Sequence, residues 1–259
     1  MKIVVCVKYV PDAQAACGFE GDFTVDRAGV DGLLSELDEY AIEEALEMTD
    51  AFADSRVTVV CMGPEQAADA IRKALQMGAD AGVHVLDDAL AGCDALATSK
   101  VLAAAISTLE YDLVLTGMAS TDGAMSVVPA MLAQRLGLPQ ATFAGKVELD
   151  GPKVRIERDG DTSTEVIEVS LPALISVTDQ INEPRYPSFK GIMAAKKKPV
   201  TTVSLADLGI SADQVGLSAA WSAVESVTAR PPRAAGQVVT DEGDGGSRLV
   251  EYLAGAKLV

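Results

Sequence analysis

Aromatic rings are scarce in this chain. Phe, Trp and Tyr make up 4% of it, although 49% of its 259 residues are hydrophobic. A large core poor in rings must be built from Val, Ile, Leu and Ala layers, as in parallel sheets covered by helices. Positive charge is also short: 21 Lys and Arg face 38 Asp and Glu, a formal charge of −17. That surface repels polyanions, so neither nucleic acid nor an anionic membrane suits it as a general partner, whereas a basic protein does. No apolar run approaches the roughly 20 residues of a membrane helix, so no direct membrane insertion is expected. Ile3–Val7 is too short for a secretory core and is closed by Lys8. A soluble, cytoplasmic protein is the expectation.

Reactive groups are few as well. Cys6, Cys17, Cys61 and Cys93 are irregularly spaced, and no Cys-x-x-Cys pair occurs. Reduced core thiols are expected rather than disulfides or a metal site. The single histidine, His84, lies within a strand pattern with no evident Ser, Cys or metal partner and reads as structural. Glu36, Asp38, Glu39, Glu43 and Glu44 form an acidic cluster, most of which a solvated helix face explains. Nothing resembles an activated nucleophile.

What is present is alternation. Apolar strand-like runs at Ile3–Val7, Arg56–Val60, Gly82–Leu86 and Asp112–Thr116 are separated by helical patterns at Asp38–Met48, Pro64–Met77 and Lys100–Leu109, with Met125–Leu136 following. Strand then helix in regular succession predicts an α/β fold, a Rossmann-like, mostly parallel sheet with flanking helices. Lys146–Leu149, Val154–Arg158 and Glu165–Val169 alternate apolar and polar residues across Asp-Gly turns, which predicts an antiparallel edge meander. Ala173–Val177 reads as a last buried strand. Residues 1–198 are expected to form the nucleotide-binding domain. Residues 199–259, irregular until an amphipathic stretch near Ser247–Ala256, read as an extended C-terminal arm.

In doubly wound sheets ligands sit beyond the carboxyl ends of the strands. Two loops there stand out. One is the turn Cys6–Asp12; the other is Gly117–Val128, GMASTDGAMSVV. The second offers hydroxyls at Ser120 and Thr121, a helix cap or ribose partner at Asp122, close backbone approach at Gly123, and a helix start suited to an anion. Neither G-x-G-x-x-G nor the P-loop pattern is present, so spacing alone does not separate a phosphate site from a well-capped loop. A third stretch, Arg185–Lys198 (RYPSFKGIMAAKKK), pairs Tyr186 and Phe189 on a Pro-braced loop with a basic base and reads as a docking element. By this reading the chain is an α/β nucleotide-binding protein, a stand-alone ATP- or AMP-binding signalling module being one form of it.

VKYVPD at Val7–Asp12, DEYAIEEAL at Asp38–Leu46, AIRKALQMGAD at Ala70–Asp80, TDG at Thr121–Gly123, LPALISV at Leu171–Val177 and NEPRYPSFKGIMAAKKK at Asn182–Lys198 resemble, together and in order, the β subunit of electron-transfer flavoprotein. The resemblance implies a heterodimer with a larger α subunit and one FAD held mostly on α at the interface. Electrons would pass from acyl-CoA or related dehydrogenases to a quinone reductase or another acceptor. It implies a structural AMP in β, or a second FAD accepting hydride from NADH in a bifurcating subgroup. Carried onto this sequence, the nucleotide pocket falls on Cys6, Ser35, Glu36, Leu37, Asp38, Met62, Gly117, Met118, Ala119, Ser120, Thr121, Asp122, Gly123, Ala124, Met125, Ser126, Val127 and Val128. The recognition loop falls on Arg185, Tyr186, Pro187, Ser188, Phe189, Lys190, Gly191, Ile192, Met193, Ala194 and Ala195, with Phe189 as its apolar tip. The C-terminal arm would wrap the α subunit. Val127 stands where many members carry a polar amide, which leaves phosphate to backbone N–H groups, and Leu37 stands where an aromatic is often found near the flavin.

Overall fold

The computed structural model describes all residues except 16, 51, 53, 229, 230, 232–235 and 237. They form two compact units, Met1–Glu225 and Ser226–Val259. The strands of the first unit are β1 (Lys2–Val7), β2 (Tyr9–Pro11), β3 (Gly32–Leu34), β4 (Arg56–Met62), β5 (Ala81–Val85), β6 (Leu113–Gly117), β7 (Gln140–Ala144), β8 (Lys146–Asp150), β9 (Lys153–Asp159), β10 (Thr164–Ser170), β11 (Ala173–Val177) and β12 (Val200–Val203). Its helices are α1 (Glu36–Asp50), α2 (Ala68–Met77), α3 (Ala95–Ile106), α4 (Val128–Leu136) and α5 (Phe189–Ala195).

The expected parallel sheet is there. Seven strands lie in the order β12-β5-β4-β1-β6-β11-β7, and every pairing among them is parallel. Strand residues alternate between two apolar layers. Ile3, Val5 and Val7 face the side that packs α1 and α2, while Val4 and Cys6 face the side that packs α3 and α4. Both faces are covered, which is why β6 and β11 are buried at every position and β1 at every position after Lys2. The meander is β10-β9-β8, antiparallel. It buries Val154 and Ile156 against the first layer.

Several elements differ from the sequence expectation. Pro11–Leu33, outside the strand and helix patterns of the sequence, is bracketed by the antiparallel ribbon β2–β3. The third helix starts at Ala95 rather than Lys100, because the Asp94 carboxylate caps it by accepting from Ala97 N at 2.8 Å. The fourth starts at Val128 rather than Met125, because Ala124 and Ser126 hold positive φ (49° and 57°). Strand β7 lies in a stretch left unassigned. The chain past Lys198 does not leave the body: β12 adds the edge strand beside β5, and Leu205, Ile210 and Val215 enter the second core layer. The first compact unit thus runs to Glu225 rather than stopping at Lys198. The second unit carries α6 (Gly245–Gly255), with Leu249, Val250 and Tyr252 exposed.

Candidate functional site

From β1 the chain steps outward through β4 and β5, then returns to the other side of β1 to lay down β6. The carboxyl ends of β1 and β6 therefore flank the switch point, where loops diverge to opposite faces and leave a crevice. The sequence-chosen loops meet there. Lys8 follows β1, Ser35–Asp38 open α1, Gly117 ends β6, and Met118–Val127 connect to α4.

Asp38 braces the floor. Its Oδ2 accepts from Lys8 N at 2.8 Å, and the Gly117 N–H also donates to this carboxylate. Burial pushes its pKa up to about 7, against the lowering pull of these two N–H groups and of the Lys8 charge. A methyl group at Gly117 would lie 2.7 Å from both Asp38 Oδ1 and the Leu37 carbonyl oxygen, so only glycine lets β6 pass the start of α1.

Asp122 does not cap α4, as its sequence position suggested. It is a staple. Lys8 Nζ donates to its Oδ1 at 2.8 Å, Arg27 pairs with its Oδ2, and Gly123 N donates to Oδ1 at 2.8 Å. Its side chain is only 7% exposed. Burial alone would raise its pKa, but the Lys8 charge and the hydrogen bonds from Lys8, Arg27 and Ser120 prevail and hold it well below the usual carboxylate range. Lys8 Nζ also donates to Ser120 Oγ at 3.3 Å. An ammonium has three donors, so one remains, and Arg27 keeps further free N–H groups. The sequence reading missed both cations. The Lys8 signal was a lone basic residue closing the first strand; Arg27 had none.

The crevice fits a phosphate-bearing ligand on several counts. Ala124 and Ser126 adopt left-handed backbone, a strain that clusters at ligand loops. No side chain caps α4, whose first intrahelical bond runs from Met131 N to Val127 O; Pro129 has no N–H, and those of Val128 and Ala130 are left over. Free N–H groups at a helix start suit an anion, and Lys8 lies beside them. The hydroxyls of Ser35, Thr116 and Thr121 are buried without a partner among the described residues, as expected of groups awaiting a polar ligand. Cys6 is buried beneath, its thiol pushed up by burial and inert toward chemistry. Met62 ends β4 half-buried. His84 is structural, its Nε2 3.1 Å from the Gly63 carbonyl oxygen. Among the described residues no group of His, Cys, Asp or Glu could hold a metal.

The acidic cluster is only partly a solvated face, with Glu36 exposed and Glu39 half-buried. Asp38, Glu43 and Glu44 are buried because each has a partner brought by another part of the fold. Glu43 binds Arg185, and Asn182 Nδ2 donates to Glu44 Oε2 at 3.3 Å. The Arg185–Ala195 segment, read as a loop, ends in the helix α5. Ser188 caps it by accepting from Gly191 N at 3.1 Å. Tyr186 and Phe189 are 93% and 80% exposed, beside Ile192 and Met193. Among the described residues no helix is long and apolar enough to cross a membrane.

Known proteins place this architecture. The electron transfer flavoprotein domain matches residues 22–208. Curated electron transfer flavoprotein β subunits are similar along the whole chain. That of Mycobacterium tuberculosis (strain H37Rv) is 48% identical, covering 99% of each chain, and that of Megasphaera elsdenii is 35% identical over 98% of this chain and 96% of its own. The caffeyl-CoA reductase-Etf complex subunit CarD of Acetobacterium woodii is 36% identical over 93% of this chain and 92% of its own. A doubly wound sheet with its crevice at the β1–β6 switch point, matched end to end by these relatives, belongs to the β-subunit family of electron transfer flavoproteins.

Proposed function

We propose that the chain is the β subunit of a cytoplasmic heterodimeric electron carrier that takes electrons from an acyl-CoA or related dehydrogenase and delivers them to a quinone reductase or another acceptor. In this reading the β1–β6 crevice holds AMP structurally, and a larger α subunit carries most of the FAD. The observation that carries the nucleotide is the conjunction of an uncapped α4 start, strained Ala124 and Ser126, and Lys8 with a donor to spare. FAD supplies the redox chemistry when bound; this chain's residues bind and position. Val128 and Ala130 N–H groups with Lys8 would hold phosphate, and the Ser35, Thr116 and Thr121 hydroxyls would meet sugar or base oxygens and nitrogens. Asp38, tied to two backbone N–H groups, keeps the two loops at fixed separation and is not free to move a proton.

The docking surface is α5 with the turn that leads into it, where Phe189 and Tyr186 offer large apolar area at low rotamer cost. The second unit, with its exposed apolar residues on α6, is the grip on the α subunit. Likeness to a subunit of a caffeyl-CoA reductase complex keeps a second reading in view, in which the crevice holds a second FAD that accepts hydride from NADH. Release and chromatography of nucleotides from the purified heterodimer separates the two. About one AMP and one FAD per heterodimer supports the carrier; two FAD, no AMP and NADH oxidation overturn it in favour of the bifurcating form. A chain that works alone and binds ATP reversibly overturns both.

A further inference from the structure

The docking helix is held from three sides, and the strongest hold is a buried charge. Glu43 lies in the middle of α1 with its side chain 5% exposed. Its carboxylate accepts three groups of Arg185: backbone N at 3.0 Å, Nε at 2.8 Å and NH2 at 2.8 Å. Both oxygens are engaged, a planar fork on a carboxylate with a main-chain bond added. Asp50 lies 3.6 Å from the same guanidinium. One turn ahead, Asn182 Nδ2 donates to the Tyr40 carbonyl at 3.1 Å, tying the approach to α5 onto α1 as well. At mid-helix, a methyl on Gly191 would lie 2.5 Å from the Gln76 carbonyl oxygen, so α5 touches the last turn of α2 backbone to backbone. Behind it, Lys198 Nζ donates to the Leu75 and Gly78 carbonyls at 3.0 and 2.9 Å, closing the carboxyl end of α2.

An isolated helix of seven residues does not form in water. Its presence as an exposed apolar ledge must come from these anchors. We infer that Glu43 is a positioning residue for electron transfer: through Arg185 it presets α5, so that Tyr186 and Phe189 meet the dehydrogenase in a fixed array. The inference rests on the docking role proposed above for α5. Most of the interaction lies in the charge of Glu43, because a neutral amide accepts at one oxygen only and cannot take the guanidinium fork.

The test uses the heterodimer with Glu43→Gln and Arg185→Lys, and Phe189→Ala beside them. Amide exchange across 185–195 reads the anchoring without any partner. Kinetics with an acyl-CoA dehydrogenase and its acyl-CoA as donor read docking. If the set arrangement falls to roughly one-tenth of the population, the KM for the carrier rises about tenfold while kcat holds. Glu43→Gln is expected to show that split, with faster exchange confined to 185–195 and normal flavin content. Arg185→Lys, which keeps the charge and the main-chain bond, should fall between. Wild-type exchange and KM in Glu43→Gln overturn the positioning role. If exchange rises but neither Glu43→Gln nor Phe189→Ala changes KM, the anchor stands and the docking reading of α5 fails. If Glu43→Gln yields no heterodimer, Arg185→Lys decides alone by the same two readings.

Discussion

Replacing Lys8 by Met tests whether the staple on Asp122 holds the Gly117–Val128 loop. Asp122 is 7% exposed and has two cationic partners, Lys8 at 2.8 Å and Arg27. Removing one partner of a buried pair costs about 3–5 kcal/mol. Lys8 is 41% exposed, so water takes up part of the loss, and Arg27 remains; about 2 kcal/mol is the reasoned figure. Asp122→Asn removes the buried charge instead and leaves Lys8 and Arg27, both half-exposed, for water to solvate, at a cost of about 0.5–1 kcal/mol. The double variant should then cost little more than Asp122→Asn, a coupling of about 1.5 kcal/mol. In melting temperature Lys8→Met should fall by roughly 4–8 °C and the double variant by only about 2–4 °C. Calorimetry of the four heterodimers, each assayed for released nucleotide, measures both. If Lys8 also touches phosphate, AMP is lost in Lys8→Met and stays lost in the double variant. Additive losses, with no coupling, would refute the staple.

Phe189→Ala should raise the KM of the carrier for its dehydrogenase by tenfold or more, as for a buried aromatic anchor, with normal flavin content; stopped-flow reduction at limiting dehydrogenase checks it. Truncation after Lys198 removes β12 and the buried Leu205, Ile210 and Val215. At about 1.5–3 kcal/mol per side chain this rivals the whole stability of a domain, so circular dichroism should show an unfolded chain. Truncation after Glu225 should leave a cooperative melt yet abolish heterodimer assembly, read by size exclusion. Burial lifts the Glu44 pKa from 4.5 to about 7, with Glu47 and Glu43 adding to the rise and the Asn182 bond opposing it. The folded state then binds more protons than the unfolded one between those values, so stability falls as pH rises through that window. Glu44→Gln should flatten the decline in melting temperature between pH 4.5 and 7.5, and an unchanged slope would count against the assignment. Gly117→Ala, with its methyl 2.7 Å from the Leu37 carbonyl, should melt several degrees lower and lose bound nucleotide, measured by the same assays.

The fold class, the central strands and the place of the Gly117–Val128 loop between strand and helix were readable from the chain itself. Short apolar-rich runs such as IVVCV and DLVLT, alternating with helical patterns, read as strands buried on both faces, and a loop of small residues between strand and helix marks a crevice wherever the sheet reverses its order. The edge elements were hidden. VTTV of β12 is mostly exposed and looks like tail until it is seen paired with β5, and Phe143 of β7 sits at φ 60°, outside any strand pattern. Charge partners were beyond local reading altogether. Lys8 and Asp122 are 114 residues apart, and Glu43 and Arg185 are 142 apart. Local pattern therefore read Asp122 as a cap or ribose partner and put Glu43 in a mostly solvated cluster. Spacing along a chain records which side of an element a residue faces, because that is set by backbone period. Whether a buried carboxylate has a cation to meet depends on which distant strand ends the crossovers bring together, and only the folded sheet decides that.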